Sequence, residues 1–123
     1  MRYALVLLGG ALGAVARYVV DGWVASGLGP GFPFGTLVVN LSSSFLLGVV
    51  AVVTLERSLL LGEWRIFLGV GLLGAYTTFF TWQYETLRLL ETGPWAAGLA
   101  NLLGSAVAGL AALALGVVVA RVL

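Results

Sequence analysis

The sequence predicts an all-α integral membrane protein with four transmembrane helices, the third broken near its middle, and residues 1–123 forming one four-helix unit. Three observations predict this. The chain is 61% hydrophobic with a mean hydropathy of +1.11, more apolar surface than 123 residues can bury as a soluble domain. Four apolar segments, near 4–24, 35–55, 64–83 and 95–120, each approach the roughly 20 residues a bilayer crossing needs. In the third, Gly74-Ala-Tyr-Thr-Thr-Phe-Phe-Thr-Trp-Gln-Tyr-Glu85 puts threonines, a glycine and aromatic rings near mid-span. Polar or irregular backbone at that depth is tolerated only when buried in protein or lining a cavity. Interrupted helices of this kind present main-chain ends to ions, so the chain reads as ion-handling rather than as an inert anchor.

The first span carries Gly9 and Gly13, a small-xxx-small pair that lets another helix approach, and Arg17 continues that face one turn later. Its opening residues imitate a secretory signal, with Ala14-Val15-Ala16 resembling a cleavage site. Removal would cost a helix from a minimal bundle, so retention is expected. The connector over residues 26–35 is rich in Gly and Pro and uncharged. The second span places Thr36, Asn40, Ser44 and Gly48 at i, i+4 spacing, one polar, small-residue stripe on a helix otherwise built of Leu, Val and Phe45. The connector over 56–63 is short and mixed in charge. After Gln83 the third helix is expected to run on to Glu91, until Thr92-Gly-Pro94 ends it and starts the fourth. The fourth repeats the pattern of the second with Asn101, Ser105 and Gly109. The bland faces left over suggest oligomerisation.

The ionisable residues are six Arg and five Asp or Glu, with no Lys, His or Cys. Disulfides, thiol chemistry, histidine proton relays and most transition-metal sites are thereby excluded. Arg2, Arg57, Arg65 and Arg121 fall on the side of the termini, and Arg17 and Arg88 on or near the other. The bias towards cytoplasmic termini is small enough to allow insertion in both orientations. Trp23, Trp64 and Trp95 sit at span ends, where an aromatic belt belongs. No soluble domain is left over for a nucleotide site, and no nucleic-acid partner is expected. The partner implied is the lipid bilayer of the plasma or inner membrane, crossed several times.

Asp21, Glu56, Glu63, Glu85 and Glu91 all fall near span ends or in connectors. A proton-coupled exporter needs a carboxylate in mid-membrane, and a divalent-cation site needs several. What lines the helices instead are side-chain amides, hydroxyls and aromatic rims, all donors or electropositive edges without full charge. Such a lining replaces part of a small anion's water shell without trapping it. Each residue also has a plainer reading. Asn40 taken alone fits a hydrogen bond to a neighbouring helix better than a pore. Ser43, Ser44 and Ser105 fit close packing, and Thr77, Thr78 and Thr81 fit bonds back to the preceding turn. Phe79, Phe80 and Trp82 fit lipid contact, and Arg17 a snorkelling end charge.

Taken together the pieces resemble the small fluoride channels of microbes, the Fluc or CrcB family, over all four spans. The resemblance is carried by Gly9-Gly-Ala-Leu-Gly-Ala-Val-Ala-Arg17-Tyr18, Phe34-Gly-Thr-Leu-Val-Val-Asn40, Gly74-Ala-Tyr-Thr-Thr-Phe79 with Glu85 downstream, and Ser105 with Gly109-Leu110. It implies a channel subunit that dimerises antiparallel in dual topology, with two fluoride pores and passive export of F⁻. It implies a structural Na⁺ at the dimer centre, on main-chain carbonyls that map to Gly74 and Thr77. It implies a pore lined by Asn40, Phe79 and Trp82, continued by the donors Thr78, Ser44, Ser105 and Asn101, with Arg17 setting the potential of a vestibule.

The chain departs from the family pattern at three places. The family's usual Thr-Thr-Phe-Ser-Thr-Phe reads here Thr-Thr-Phe79-Phe80-Thr81-Trp82, and Asn101 stands where a Tyr is common. These departures leave a second expectation open beside the homodimer: a non-conducting or half-pore subunit that pairs with a paralogous chain. A third, a small multidrug-type exporter, requires a buried glutamate in the first span, and none is there.

Overall fold

The computed structural model describes residues 1–59 and 62–123. Leu60 and Leu61, in the connector expected over 56–63, lie outside the described residues. Among the described residues five helices follow one another: α1 (Arg2–Leu28), α2 (Phe34–Glu56), α3 (62–76), α4 (Phe80–Thr92) and α5 (Trp95–Val122). Three of them, α1, α2 and α5, are long and apolar enough to cross a membrane. They enclose the segments expected at 4–24, 35–55 and 95–120. The segment expected at 64–83 falls instead across α3 and α4, with non-helical residues 77–79 between them. The 13 residues of α4 rise about 20 Å, short of the ~30 Å hydrocarbon layer.

Local chemistry sets the helix ends. α1 stops at Gly29, whose φ of 83° is open to glycine and disfavoured for a side chain, and its N–H still reaches Ala25 O at 2.9 Å. Pro33 precedes α2 and Pro94 precedes α5, where a missing N–H costs nothing. Long stretches are not plain α-helix. Residues Val52–Glu56, Ile66–Leu73 and Ala100–Gly104 are wound in wider i→i+5 turns, a form that is uncommon and concentrated near functional sites.

Two close approaches hold the bundle. α1 lies against residues 66–73 and α2 runs along α5. In the first contact Gly13 is so near α3 that a Cβ would sit 3.1 Å from Tyr76 N and against the Leu72 carbonyl oxygen. In the second a Cβ on Gly116 would sit 2.9 Å from the Phe45 carbonyl carbon. Lipid offers no hydrophobic drive between helices, so main chains must touch for dispersion to hold them. At one end, Arg121 grips Glu56 through two bonds at 2.6 and 3.0 Å, and Arg57 donates to Arg121 O at 2.7 Å, clasping the last turns of α2 and α5. The outward surface is apolar: Leu7, Trp23, Val107 and Leu115 are exposed on the long helices, as a lipid-facing surface requires.

Gly116→Ala is expected to force α2 and α5 apart and lower stability by about 1–3 kcal/mol. It reads as a lower thermal midpoint of the detergent-solubilised protein by size-exclusion. Gly22→Ala, where nothing lies within 4 Å, leaves the midpoint unchanged or raises it.

Candidate functional site

The centre of the molecule is the junction between α3 and α4. α3 ends at Tyr76 because Thr77 turns extended, with φ −73° and ψ 157°. An end inside a bundle leaves polar main-chain groups that must find partners. Asn40, on the facing side of α2, supplies them. Its Nδ2–H donates to Thr78 O at 2.9 Å, and its Oδ1 accepts from Thr78 N–H at 2.9 Å and from Thr77 Oγ1–H at 2.9 Å. The amide orientation is fixed, since only the oxygen can accept from a main-chain N–H. The second Nδ2 proton has no partner among the described residues. α4 is started by Thr78, whose Oγ1 accepts from Thr81 N–H at 3.4 Å and donates to Thr81 Oγ1 at 3.1 Å. Buried Tyr76 meets Ser42 Oγ through its hydroxyl at 3.0 Å.

Three hollows surround this junction. A cavity of about 390 Å³ is lined by Asn40, Ser44, Thr77, Thr78, Phe79, Trp82, Ser105 and Gly109 among others. No ionisable side chain lines it among the described residues. Phe79 and Trp82 stand edge to face in its wall, ring centroids 5.5 Å apart and planes at 69°. A smaller hollow of about 130 Å³, on the other side of Ser44 and Thr77, includes Ser43 and Gly74. A third, of about 630 Å³, opens between the loop after α1 and α4, and carries Asp21, Thr81, Glu85 and Arg88. Thr78, in the lining of the first hollow, is hydrogen-bonded through its hydroxyl to Thr81, in the lining of the third.

Six of the seven residues expected to line a path therefore share one cavity: Asn40, Ser44, Thr78, Phe79, Trp82 and Ser105. The seventh, Asn101, is 1% exposed and lies behind the wall, donating to Thr86 Oγ1 at 2.8 Å and accepting from Ser105 Oγ at 3.3 Å. Arg17, half-buried, donates to Ala75 O at 3.3 Å and is not in the lining of the charged hollow. Gly74 and Thr77 line the smallest hollow together. Phe80 is 74% exposed and enters none of the three linings.

Sequence reasoning missed Thr86, which is buried and bonds Trp82 O at 2.7 Å. Its i+4 spacing from Trp82 was the available signal. It also missed the gathering of Asp21, Glu85 and Arg88, which come from two helices. Glu85 Oε1 is buried with no hydrogen-bond partner among the described residues.

Over residues 4–117 the chain matches the family model described as CrcB-like protein, Camphor Resistance (CrcB). It is 46% identical over 116 residues to the fluoride-specific ion channel FluC of Geobacter metallireducens, covering 94% of each chain. It is 50% identical over 109 residues to the protein of that name from Thermus thermophilus, covering 89% of this chain and 85% of the other. The corresponding protein of Magnetococcus marinus is 44% identical over 123 residues, the full length of both.

Asn40→Leu is expected to strand the Thr78 N–H and C=O and to cost about 1–3 kcal/mol for each unpaired group. The thermal midpoint of the solubilised protein falls accordingly, while Ser44→Ala, which removes no hydrogen-bond partner of the junction among the described residues, moves it far less. Equal midpoints for the two variants would contradict this account of the junction.

Proposed function

Since the chain belongs to the CrcB family, we propose that it conducts fluoride passively out of the cytoplasm. It is a multi-pass plasma-membrane protein and not an enzyme. The observation that carries the reading is the shared cavity: Asn40, Thr78, Phe79, Trp82 and Ser105 meet in one uncharged hollow beside the α3–α4 junction. Hydrogen fluoride enters cells as a neutral acid and dissociates inside, so a passive exit for the anion is sufficient. The free Nδ2 proton of Asn40 offers a donor, and aromatic edges offer positive rims. None carries a full charge, so an ion is held weakly enough to leave.

In this reading α3 and α4 form one interrupted membrane span, the third of four, and Asn40 is what makes the interruption affordable. The subunits pair antiparallel in dual topology with two pores. The apolar outer faces and the nearly balanced arginines support that assembly. Gly74 and Thr77 fit a structural Na⁺. The Thr78 N–H that would bond Gly74 O within a helix goes to Asn40, and the Thr81 N–H that would bond Thr77 O goes to Thr78 Oγ1. Both carbonyl oxygens are released from their helical partners, and neutral oxygens suit a hard cation. Two copies would double the set, and a bound Na⁺ would supply positive charge at the interface. A half-pore subunit paired with a paralogous chain remains the alternative, although Phe80 stays out of the cavity wall. An exporter of organic cations has no carboxylate in this cavity to use.

Liposomes holding only this chain are expected to release F⁻ and to retain Cl⁻. Asn40→Asp puts a like charge on the path, worth about 4 kcal/mol at close range near a protein surface, so F⁻ efflux should fall on the order of 10³-fold. Absence of efflux from the unaltered chain, restored by a paralogous chain, would establish the half-pore alternative instead. Separately, replacing Na⁺ by N-methylglucamine should lower the midpoint of the solubilised dimer. The loss should be regained saturably with added NaCl, and a midpoint indifferent to Na⁺ would remove the cation from the reading.

A further inference from the structure

Behind the wall of the uncharged cavity, Trp82, Thr86 and Asn101 close a ring of hydrogen bonds. The indole Nε1–H of Trp82 donates to the main-chain oxygen of Asn101 at 2.9 Å. The Asn101 side-chain amide donates to Thr86 Oγ1 at 2.8 Å. Thr86 Oγ1–H donates to the main-chain oxygen of Trp82 at 2.7 Å, which returns the chain of bonds to its start. Asn101 O also accepts the Ser105 N–H, so both of its lone pairs are in use. Asn101 is 1% and Thr86 4% exposed, and of the three only Trp82 reaches the cavity.

The arrangement decides what Trp82 shows to an ion. The indole N–H is the only donor tryptophan has, and here it points away from the cavity into a buried carbonyl. An anion could take it only by opening the ring of bonds and leaving that carbonyl short of a partner in a water-free place. What faces the cavity is ring carbon alone, held against Phe79 edge to face at 5.5 Å. A large ring tethered at its nitrogen cannot swing aside to admit a bigger ion.

Resting on the channel reading above, we infer that Asn101 is a positioning residue for Trp82. Its main-chain oxygen withdraws the indole N–H from the ion path, and its side-chain amide, bonded to Thr86, braces α5 against α4 so that this oxygen stays in reach and the Phe79–Trp82 pair stays fixed; discrimination against a larger halide then depends on a residue no ion touches.

The test uses the full chain. In spectra of the micelle-bound protein, the indole N–H resonance lost in Trp82→Phe identifies Trp82. In the unaltered protein this resonance should exchange with D2O at least about tenfold more slowly than that of exposed Trp23. It should not move when NaF replaces NaCl. Asn101→Leu keeps the main-chain acceptor but removes the amide bond to Thr86 that braces it, so it should speed that exchange and lower the F⁻ to Cl⁻ efflux ratio by about tenfold, the scale of one hydrogen bond. Asn101→Leu combined with Thr86→Val removes both polar partners together, and so keeps the fold if the single variant does not. A merely structural role predicts a normal efflux ratio in that pair, whereas positioning predicts the same loss as in the single variant.

The inference is overturned if the unaltered chain conducts F⁻ and the folded variants keep their ratio within about twofold. It is equally overturned if NaF shifts the Trp82 indole resonance, as direct contact with the anion would. An unaltered chain that conducts no F⁻ overturns the channel reading instead, and the indole resonance then decides the hydrogen-bond assignment by itself.

Discussion

A main chain that leaves its helix inside an apolar bundle must be given partners, and here one side chain provides them. Asn40 accepts the N–H of Thr78 and donates to its C=O, so the turn at residues 77–79 is held from α2 as a sheet edge is held by a neighbouring strand. The rest of the architecture keeps that clamp in place. α2 is fixed against α5 by the close approach at Gly116, and α3 against α1 by the one at Gly13. If either contact opened, the Asn40 amide would lose its reach to Thr78, and several unpaired groups would be exposed to an apolar medium.

The same clamp produces the chemistry around it. Diverting the Thr78 N–H releases Gly74 O from its helical bond, and turning Thr77 extended brings the Thr78 hydroxyl to cap α4. Two hollows open on either side of the junction. One is lined by uncharged donors and rings, the other by Gly74, Thr77 and small residues of α2. Saturating most of Asn40 matters for the proposed conduction. A donor with three bonds already made is rigid and pre-oriented, and it offers the path one remaining proton rather than a loose amide that would rearrange around each ion.

Trp82 and Asn101 are two of the places where the motif reading expected a departure from the pattern the chain resembles, and the structure joins them directly. A larger ring with one polar atom has been accommodated by giving that atom a buried acceptor on α5. The widened turns at Ala100–Gly104 surround that acceptor. Phe80, the third departure, has turned outward. Substitutions that look disruptive in a linear motif thus fall into different roles once their neighbours are known.

Much of the molecule was legible in the chain. Hydropathy is local, so the membrane class and the helices that became α1, α2 and α5 could be read from windows of residues. The polar run after Gly74 takes in the non-helical residues 77–79, and threonines and a glycine there have no reason to exist in plain lipid contact. The i+4 stripe of α2 includes Asn40 and Ser44, which line one cavity. What the chain could not disclose was which polar atoms are already engaged. Asn40 finds its partner 38 residues away and the Trp82 nitrogen finds its own 19 residues away. Asn101 looks like a cavity donor by spacing, yet it faces Thr86 because α4 packs against the start of α5. Residue type and period determined where uncharged donors would lie. Only the packing of one helix on another decided which of them remain free, because a hydrogen bond is a contact between atoms and not a property of either residue.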